Sequence, residues 1–251
     1  MNGNKLHIYF TPAQLAQSAA DRIADFAERA IAQTGRFILG LAGGTTPRLT
    51  YEQLTDARYK GIIDWNNVHI FWGDERCLPP THQDSNYHMA KTALLDMVDI
   101  PATRIHRIQG EIDPQTAADR YERELRDYFQ SRLGIARARF DLLLLGLGSD
   151  GHTASLFPGT PAIRETQRWT AAQHISQLNA WRITLTPPAI NAAKTIMFLV
   201  TGSDKAEAVQ KVLTAPYQPD AIPAQIVKPE DGNVIWMLDS AAAALIRPSE
   251  G

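Results

Sequence analysis

The chain has 251 residues, a formal net charge of −2 and a single cysteine, Cys77. That length can bury a sizeable core, the near-neutral balance leaves no electrostatic footprint for nucleic acid, and a lone thiol excludes an intrachain disulfide or a multi-cysteine zinc site. There is no basic N-terminal region followed by an apolar run, no apolar run of membrane-spanning length and no linker-like stretch, so a single cytoplasmic α/β domain over 1–251 is expected, with no membrane partner.

The predicted elements run as follows. Leu6–Phe10 reads as a first strand. Thr11-Pro12 then supplies an N-cap and first helical position. Leu15, Ala19, Ile23, Ala27 and Ile31 fall at helical spacing, and Gly35 is the expected stop. Phe37–Leu41 is a second strand running into Ala42-Gly43-Gly44-Thr45-Thr46-Pro47, with a helix from Pro47. Glycine backbone, threonine hydroxyls and a helix N-terminus favour an anion, although the same residues suit an ordinary strand–helix turn. No Gly-Lys-Ser/Thr follows, so this is not a Walker loop.

Val68–Trp72 is a third strand, ending in the charge cluster Asp74-Glu75-Arg76. Asp84 or Ser85 can cap the next helix. His82, Asp84 and His88 fit no zinc or facial-triad spacing and read as surface or capping residues. A short strand is expected at Arg104–Ile108, then an amphipathic helix from Asp113-Pro114 to Leu133 with Gly134 as its stop. Further strands are expected at Trp169–Ile175, Trp181–Thr186, Thr195–Thr201 and Val234–Leu238. Short helices are expected from Pro187, after Gly202-Ser203-Asp204-Lys205, and after Asp239 as an alanine-rich terminus. Strands alternating with helices imply a mainly parallel sheet covered on both faces.

The segment 140–160 concentrates the chemistry. Phe140 and Leu142–Leu145 read as a strand buried on both faces. Gly146, Gly148 and Gly151 follow, then His152, Thr153 and Ser155, with Pro158 ending a short helix. A histidine on a glycine loop at a strand's C-terminal end is where open α/β sheets place chemistry; a tight turn with an incidental histidine is the plain alternative. Gly146-x-Gly148-x-x-Gly151 matches the dinucleotide fingerprint, but the following helix is cut short and 168–175 offers no acidic residue for a ribose. Leu147 stands where a hydrolase nucleophile elbow needs glycine before Ser149. What remains is His152 as a general base, with Asp150 or Asp74 to orient its ring and with Arg76, Arg182 and Lys205 as nearby cations. That set suits attack of water on a carbonyl in an anionic substrate.

Five collinear blocks carry a family resemblance: LAGGTTPRLTYEQL (41–54), FWGDERCLPPTHQDSNYHMA (71–90), FDLLLLGLGSDGHTASLFPG (140–159), 182–209 and IPAQIV (222–227). They resemble the 6-phosphogluconolactonase family, related to the glucosamine-6-phosphate deaminases. The deaminases typically continue from Asp-Gly-His into Ile-Ala-Phe-Asn-Glu-Pro, and have Tyr where Arg76 stands. The resemblance implies a three-layer, Rossmann-like α/β sandwich. It further implies hydrolysis of 6-phospho-D-glucono-1,5-lactone, the second step of the oxidative pentose phosphate pathway, without metal or organic cofactor. His152 matches the family's catalytic histidine, Gly43-Gly44-Thr45 its phosphate segment, and Arg76 the arginine of its Asp-Glu-Arg motif. Arg182 and Lys205 are the expected phosphate partners, and a monomer or weak homodimer the expected assembly. A deaminase and a non-catalytic sugar-phosphate sensor are the rival readings.

Overall fold

The computed structural model describes residues 5–246. Its strands are β1 (Lys5–Tyr9), β2 (Phe37–Leu41), β3 (Val68–Trp72), β4 (Asp74–Arg76), β5 (Ile105–His106), β6 (Leu142–Leu145), β7 (Thr170–Ile175), β8 (Ala180–Leu185), β9 (Thr195–Val200) and β10 (Asn233–Asp239). The helices are α1 (Pro12–Thr34), α2 (Thr45–Leu54), α3 (Asn86–Ala93), α4 (Pro114–Arg126), α5 (Pro187–Asn191) and α6 (Ala206–Thr214). Seven strands form one sheet in the order β1-β10-β9-β6-β2-β3-β5, and its paired strands all run parallel.

Every residue of β2, β3, β6 and β9 is buried. Successive side chains on a strand point to opposite faces, so both faces of the sheet are covered and the architecture is a three-layer α/β sandwich. Helix α1 shows how the sequence specifies a covering layer. The Thr11 side chain accepts from the Gln14 N–H at 3.2 Å, Pro12 opens the helix, and Gly35 at φ 72° closes it. Its buried residues Leu15, Ala19, Ile23 and Ala27 form one stripe.

Several expectations are revised by the fold. The charge cluster Asp74–Arg76 after the third strand is itself a strand, pairing antiparallel with β8, which pairs with β7, so these three form a second sheet. The helix over 113–133 is α-helical only to Arg126, then widens into a π-helical turn over Asp127–Arg132 before Gly134. Helix α2 begins at Thr45, two residues before Pro47. The short helix expected between Gly151 and Pro158 is absent: the segment turns back on itself through a Thr153–Leu156 bridge. Ala154, in the left-handed region at φ 48°, makes that reversal. Turns stand in place of the alanine-rich terminal helix over the described residues 240–246, although the Asp239 carboxylate accepts from the Ala242 N–H as a helix cap would; it also accepts from Gly202 N–H and ties the end of β10 to the end of β9.

Two tyrosines fix the strand ends that lead to the glycine loops. The buried Tyr51 hydroxyl accepts from Ala42 N–H at 3.0 Å and donates to Ala42 C=O at 2.8 Å. Tyr121 does the same for Trp72, at 2.9 Å in each direction. Each hydroxyl satisfies a buried backbone pair whose loss of partners would cost about 1–3 kcal/mol.

Near the start of β3, a polar chain runs Arg104–His69–His106–Glu124, its two histidines buried and its ends half-buried. Arg104 reaches His69 Nε2, His69 Nδ1 lies 3.1 Å from His106 Nε2, and His106 Nδ1 lies 2.8 Å from Glu124. Arg104 can only donate, so Nε2 of His69 is the acceptor and Nδ1 carries the proton. Burial, then the charge of Arg104 and the neighbouring His106, lower the His69 pKa from 6.5 to about 3. The sign follows from linkage: between those values the unfolded chain takes up a proton that the folded chain refuses, so stability falls as pH falls below 6.5. The urea midpoint should therefore drop between pH 7 and pH 5 by less in His69→Gln than in the unsubstituted protein; equal drops would contradict the assignment.

Candidate active site

Parallel strands bring their C-terminal ends to one edge of the sheet, and here the ends of β2, β3, β6 and β9 surround a cavity of ≈ 420 Å³. Gly43, Gly44 and Thr45 line it from the β2–α2 turn, Asp74 and Arg76 from β4, Gly148 and His152 from the loop after β6, and Lys205 from the loop after β9.

The β2–α2 turn presents backbone to the cavity. Gly44, at φ 100°, is the N-cap of α2 and contributes no side chain to it, so the first N–H groups of the helix have no side-chain cap. A Cβ at Gly43 would overlap the Asn86 amide. That amide donates to the Asp74 carbonyl at 2.9 Å and carboxylate at 3.2 Å. The turn is tied to the β9 end by a 2.7 Å hydrogen bond between the Thr46 and Thr201 hydroxyls. Helix N–H groups without side-chain partners, at the positive end of the helix dipole, suit an anion.

The loop after β6 carries the histidine. Gly151 N–H donates to Gly148 C=O at 3.0 Å and Gly148 N–H to His152 C=O at 2.8 Å, so the glycines close a tight turn. His152 Nδ1 lies 2.5 Å from Asp150 Oδ1, which also accepts the His152 backbone N–H at 3.1 Å. Burial works to raise the Asp150 carboxyl pKa, but the hydrogen bonds and charge of His152 outweigh it and hold the group below its ordinary value. An ionised carboxylate only accepts, so Nδ1 carries the proton and Nε2 is the acceptor nitrogen of the neutral ring. The two carboxylates left open by the sequence are thereby separated. Asp74 is engaged elsewhere: its oxygens accept from Ser155 Oγ at 2.7 Å and from Asn86.

The cations divide. Lys205 lines the cavity, paired with Asp204 at 3.0 Å. Arg76 also lines it; its NH1 donates to the Asp84 carbonyl at 2.5 Å, and its buried Nε has no partner among the described residues. Arg182 does not line this cavity. It sits opposite Arg76 in the β4–β8 register and faces an adjoining cavity of ≈ 440 Å³ that Arg76 shares. Burial, then the charge of Arg76, lower the Arg182 pKa. Burial also pushes the neighbouring Cys77 thiol up to about 11, so it is not a thiolate at neutral pH. Among the described residues there is no cluster of three or more His, Cys, Asp or Glu side chains that could hold a metal ion.

Sequence reasoning does not find Asn86, Thr201 or Phe157. Asn86 reads as a helix-start residue and Thr201 as the end of a strand; only their distant partners, 12 and 155 positions away, give them roles. Phe157 enters the sequence reading only within the 140–159 block; in the fold its ring stacks on His152 with centroids 4.0 Å apart.

With the fold and this geometry in hand, the class is clear. Residues 11–236 match the family described as glucosamine-6-phosphate isomerases/6-phosphogluconolactonase, and the chain belongs to that family. Within it, similar relatives bear the second of those names. A 6-phosphogluconolactonase of Synechocystis is 42% identical over 222 residues, covering 88% of this chain and 89% of the relative. Among solved structures, devB protein superposes with TM-score 0.88 at 34% identity, covering 98% of this chain and all (100%) of that one. The 6-phosphogluconolactonase of Trypanosoma brucei does so with TM-score 0.86 at 30% identity and the same coverage, 98% and 100%. Among the described residues, no helix is long and apolar enough to cross a membrane.

The turn at Gly148 has a sharp consequence. A Cβ there would overlap Nδ1 and Cε1 of His152 and crowd Asp150. Gly148→Ala should therefore displace the ring and lower kcat by about 10²-fold, with little change in the thermal midpoint. Steady-state kinetics beside thermal unfolding check both halves of that expectation.

Proposed function

We propose that this protein hydrolyses 6-phospho-D-glucono-1,5-lactone to 6-phosphogluconate, with His152 as general base. The observation that carries the reading is His152, paired with Asp150, opening onto the same cavity as the Gly43–Thr45 turn and Lys205. The relatives' names supply the substrate class.

Water bound near Nε2 of His152 gives up a proton to it as the oxygen forms a bond to lactone C1. The carbonyl π electrons move to oxygen, giving a tetrahedral oxyanion. A backbone N–H of Gly146 or Leu147, or Arg76, stabilises it; one such donor commonly contributes about 3–4 kcal/mol. As the C1 carbonyl re-forms, the bond from C1 to the ring oxygen breaks. The imidazolium returns its proton to that oxygen, which becomes the C5 hydroxyl. Asp150 acts through His152, holding the Nδ1–H tautomer and favouring the imidazolium. Asp74 acts more remotely, holding Ser155 and Asn86 and through them the walls of the cavity. Thr45, the α2 N-terminus and Lys205 anchor the 6-phosphate, which orients C1 over the base. Arg182 faces the adjoining cavity that Arg76 shares and reaches phosphate only from there.

The decisive assay is lactone hydrolysis by the purified protein, with and without the 6-phosphate, corrected for spontaneous opening. His152→Ala should lose about 10²–10⁴-fold in kcat; near-normal turnover would remove it as the base. Asp150→Asn should lose about 10–100-fold in kcat with little change in KM, because it disturbs the ring and not the substrate. Lys205→Ala should mainly raise KM for the phosphorylated lactone and leave the unphosphorylated one unaffected. Ammonia release from glucosamine 6-phosphate would instead identify a deaminase.

A further inference from the structure

The Asp150 hydrogen bond does not by itself fix the His152 ring. The ring turns about Cα–Cβ and Cβ–Cγ, and the Asp150 carboxylate can follow it by turning about its own side-chain bonds while keeping the contact with Nδ1. Nε2 lies on the far side of the ring and shifts with those coupled torsions. Something must fix the plane.

Phe157 is placed to do so. Its ring lies 4.0 Å from the His152 ring, centroid to centroid, with 21° between planes, so the two are stacked face to face. Phe157 is 8% exposed and is not among the residues lining the cavity. It therefore stands behind the histidine, away from the substrate.

The segment between them is built to bring the ring back. Thr153 Oγ1 donates to Gly146 C=O at 2.8 Å, and Leu156 N–H to Thr153 C=O at 2.9 Å. Ala154 takes the left-handed conformation that reverses the chain. Ser155, 1% exposed, is held on three sides: its hydroxyl by Asp74, its N–H by the Thr184 hydroxyl at 3.2 Å, and its carbonyl by the Gln173 amide. The Phe157 carbonyl then accepts from both the N–H and the hydroxyl of Thr160. Each anchor restrains Phe157 from one end of the turn or the other.

We infer that Phe157 is a positioning residue for the reaction: its ring fixes the plane of His152 so that Nε2 stays aimed at the water to be activated. The inference rests on the proposed role of His152 as base. The aromatic face also favours the imidazolium that forms once the proton is taken, so the effect falls on the chemical step. Since Phe157 lies outside the cavity lining, substrate binding is untouched.

Three measurements test this. In the unsubstituted protein, the ring protons of His152, assigned by their loss in His152→Ala, should resonate upfield of ordinary histidine values, because they lie over an aromatic face. Ordinary shifts would mean that no stack exists in solution and would overturn the inference whatever the variants do. Phe157→Leu should lower kcat about 3- to 10-fold with KM within about twofold of the parent value, and Phe157→Tyr, which keeps the ring, should restore kcat to within about twofold. A folded Leu variant with unchanged kcat, or one in which KM rises instead, would refute the positioning role. Should the Leu variant fail to fold, Phe157→Met carries the same comparison. If His152→Ala itself retains turnover, the base is misassigned while the proton shifts still report the stack, so the two failures are told apart.

Discussion

The constraint on which the rest depends is the burial of β2, β3, β6 and β9 on both faces. Strands filled on both sides have no room for a reacting polar group along their length. Polar chemistry is displaced to where the strands stop, and parallel strands all stop on the same edge. The backbone groups at those stops would be left unpaired, and the molecule answers with dedicated partners. Tyr51 takes both groups of Ala42, Tyr121 both groups of Trp72, and Asp239 the N–H of Gly202. The loops that carry glycines and charges thus leave from fixed points, and a site assembled from four of them can hold its geometry.

The second, three-stranded sheet completes the cavity. Asp74 follows β3 by two residues and would be a loop residue if the chain simply turned. Instead β4 pairs with β8, and the Asp74 carboxylate, 8% exposed, becomes the joint between the two sheets. It receives Ser155 from the histidine loop and Asn86 from the start of α3, and Asn86 in turn abuts Gly43. Glu75 beside it accepts from Ser85 Oγ and from the N–H groups of Asn86 and Tyr87, fixing the start of the same helix. Two adjacent carboxylates therefore register the anion-facing turn against the histidine-bearing turn. Such buried acidic groups are tolerable because each has donors on several sides.

Local signals carried most of the element assignment. The helix from Pro12 was legible because its cap, its apolar stripe and its glycine stop all lie within the segment itself. The buried strands were legible from continuous apolar runs, and the Asp-Gly-His loop from its glycines. The helix expected before Pro158 is consistent with local propensity, but Ser155 is taken by Asp74, 81 positions earlier. Tertiary hydrogen bonds to buried polar groups outweigh propensities of a few tenths of a kcal/mol per residue.

By itself, the sequence determined the layered α/β class and the residue types at the strand ends, because apolar periodicity and glycine placement are properties of short segments; the family followed from the resemblance of five collinear blocks. It could not assign Asp150 rather than Asp74 to the histidine, since both lie at plausible strand ends and the choice turns on a 2.5 Å contact. Nor could it separate Lys205, which lines the cavity, from Arg182, which faces the adjoining one: that depends on β8 leaving the parallel sheet to pair with β4. The stacking of Phe157 on His152 was likewise decided only by the turn that folds one back over the other, with its reversal at Ala154 and its anchor at Ser155.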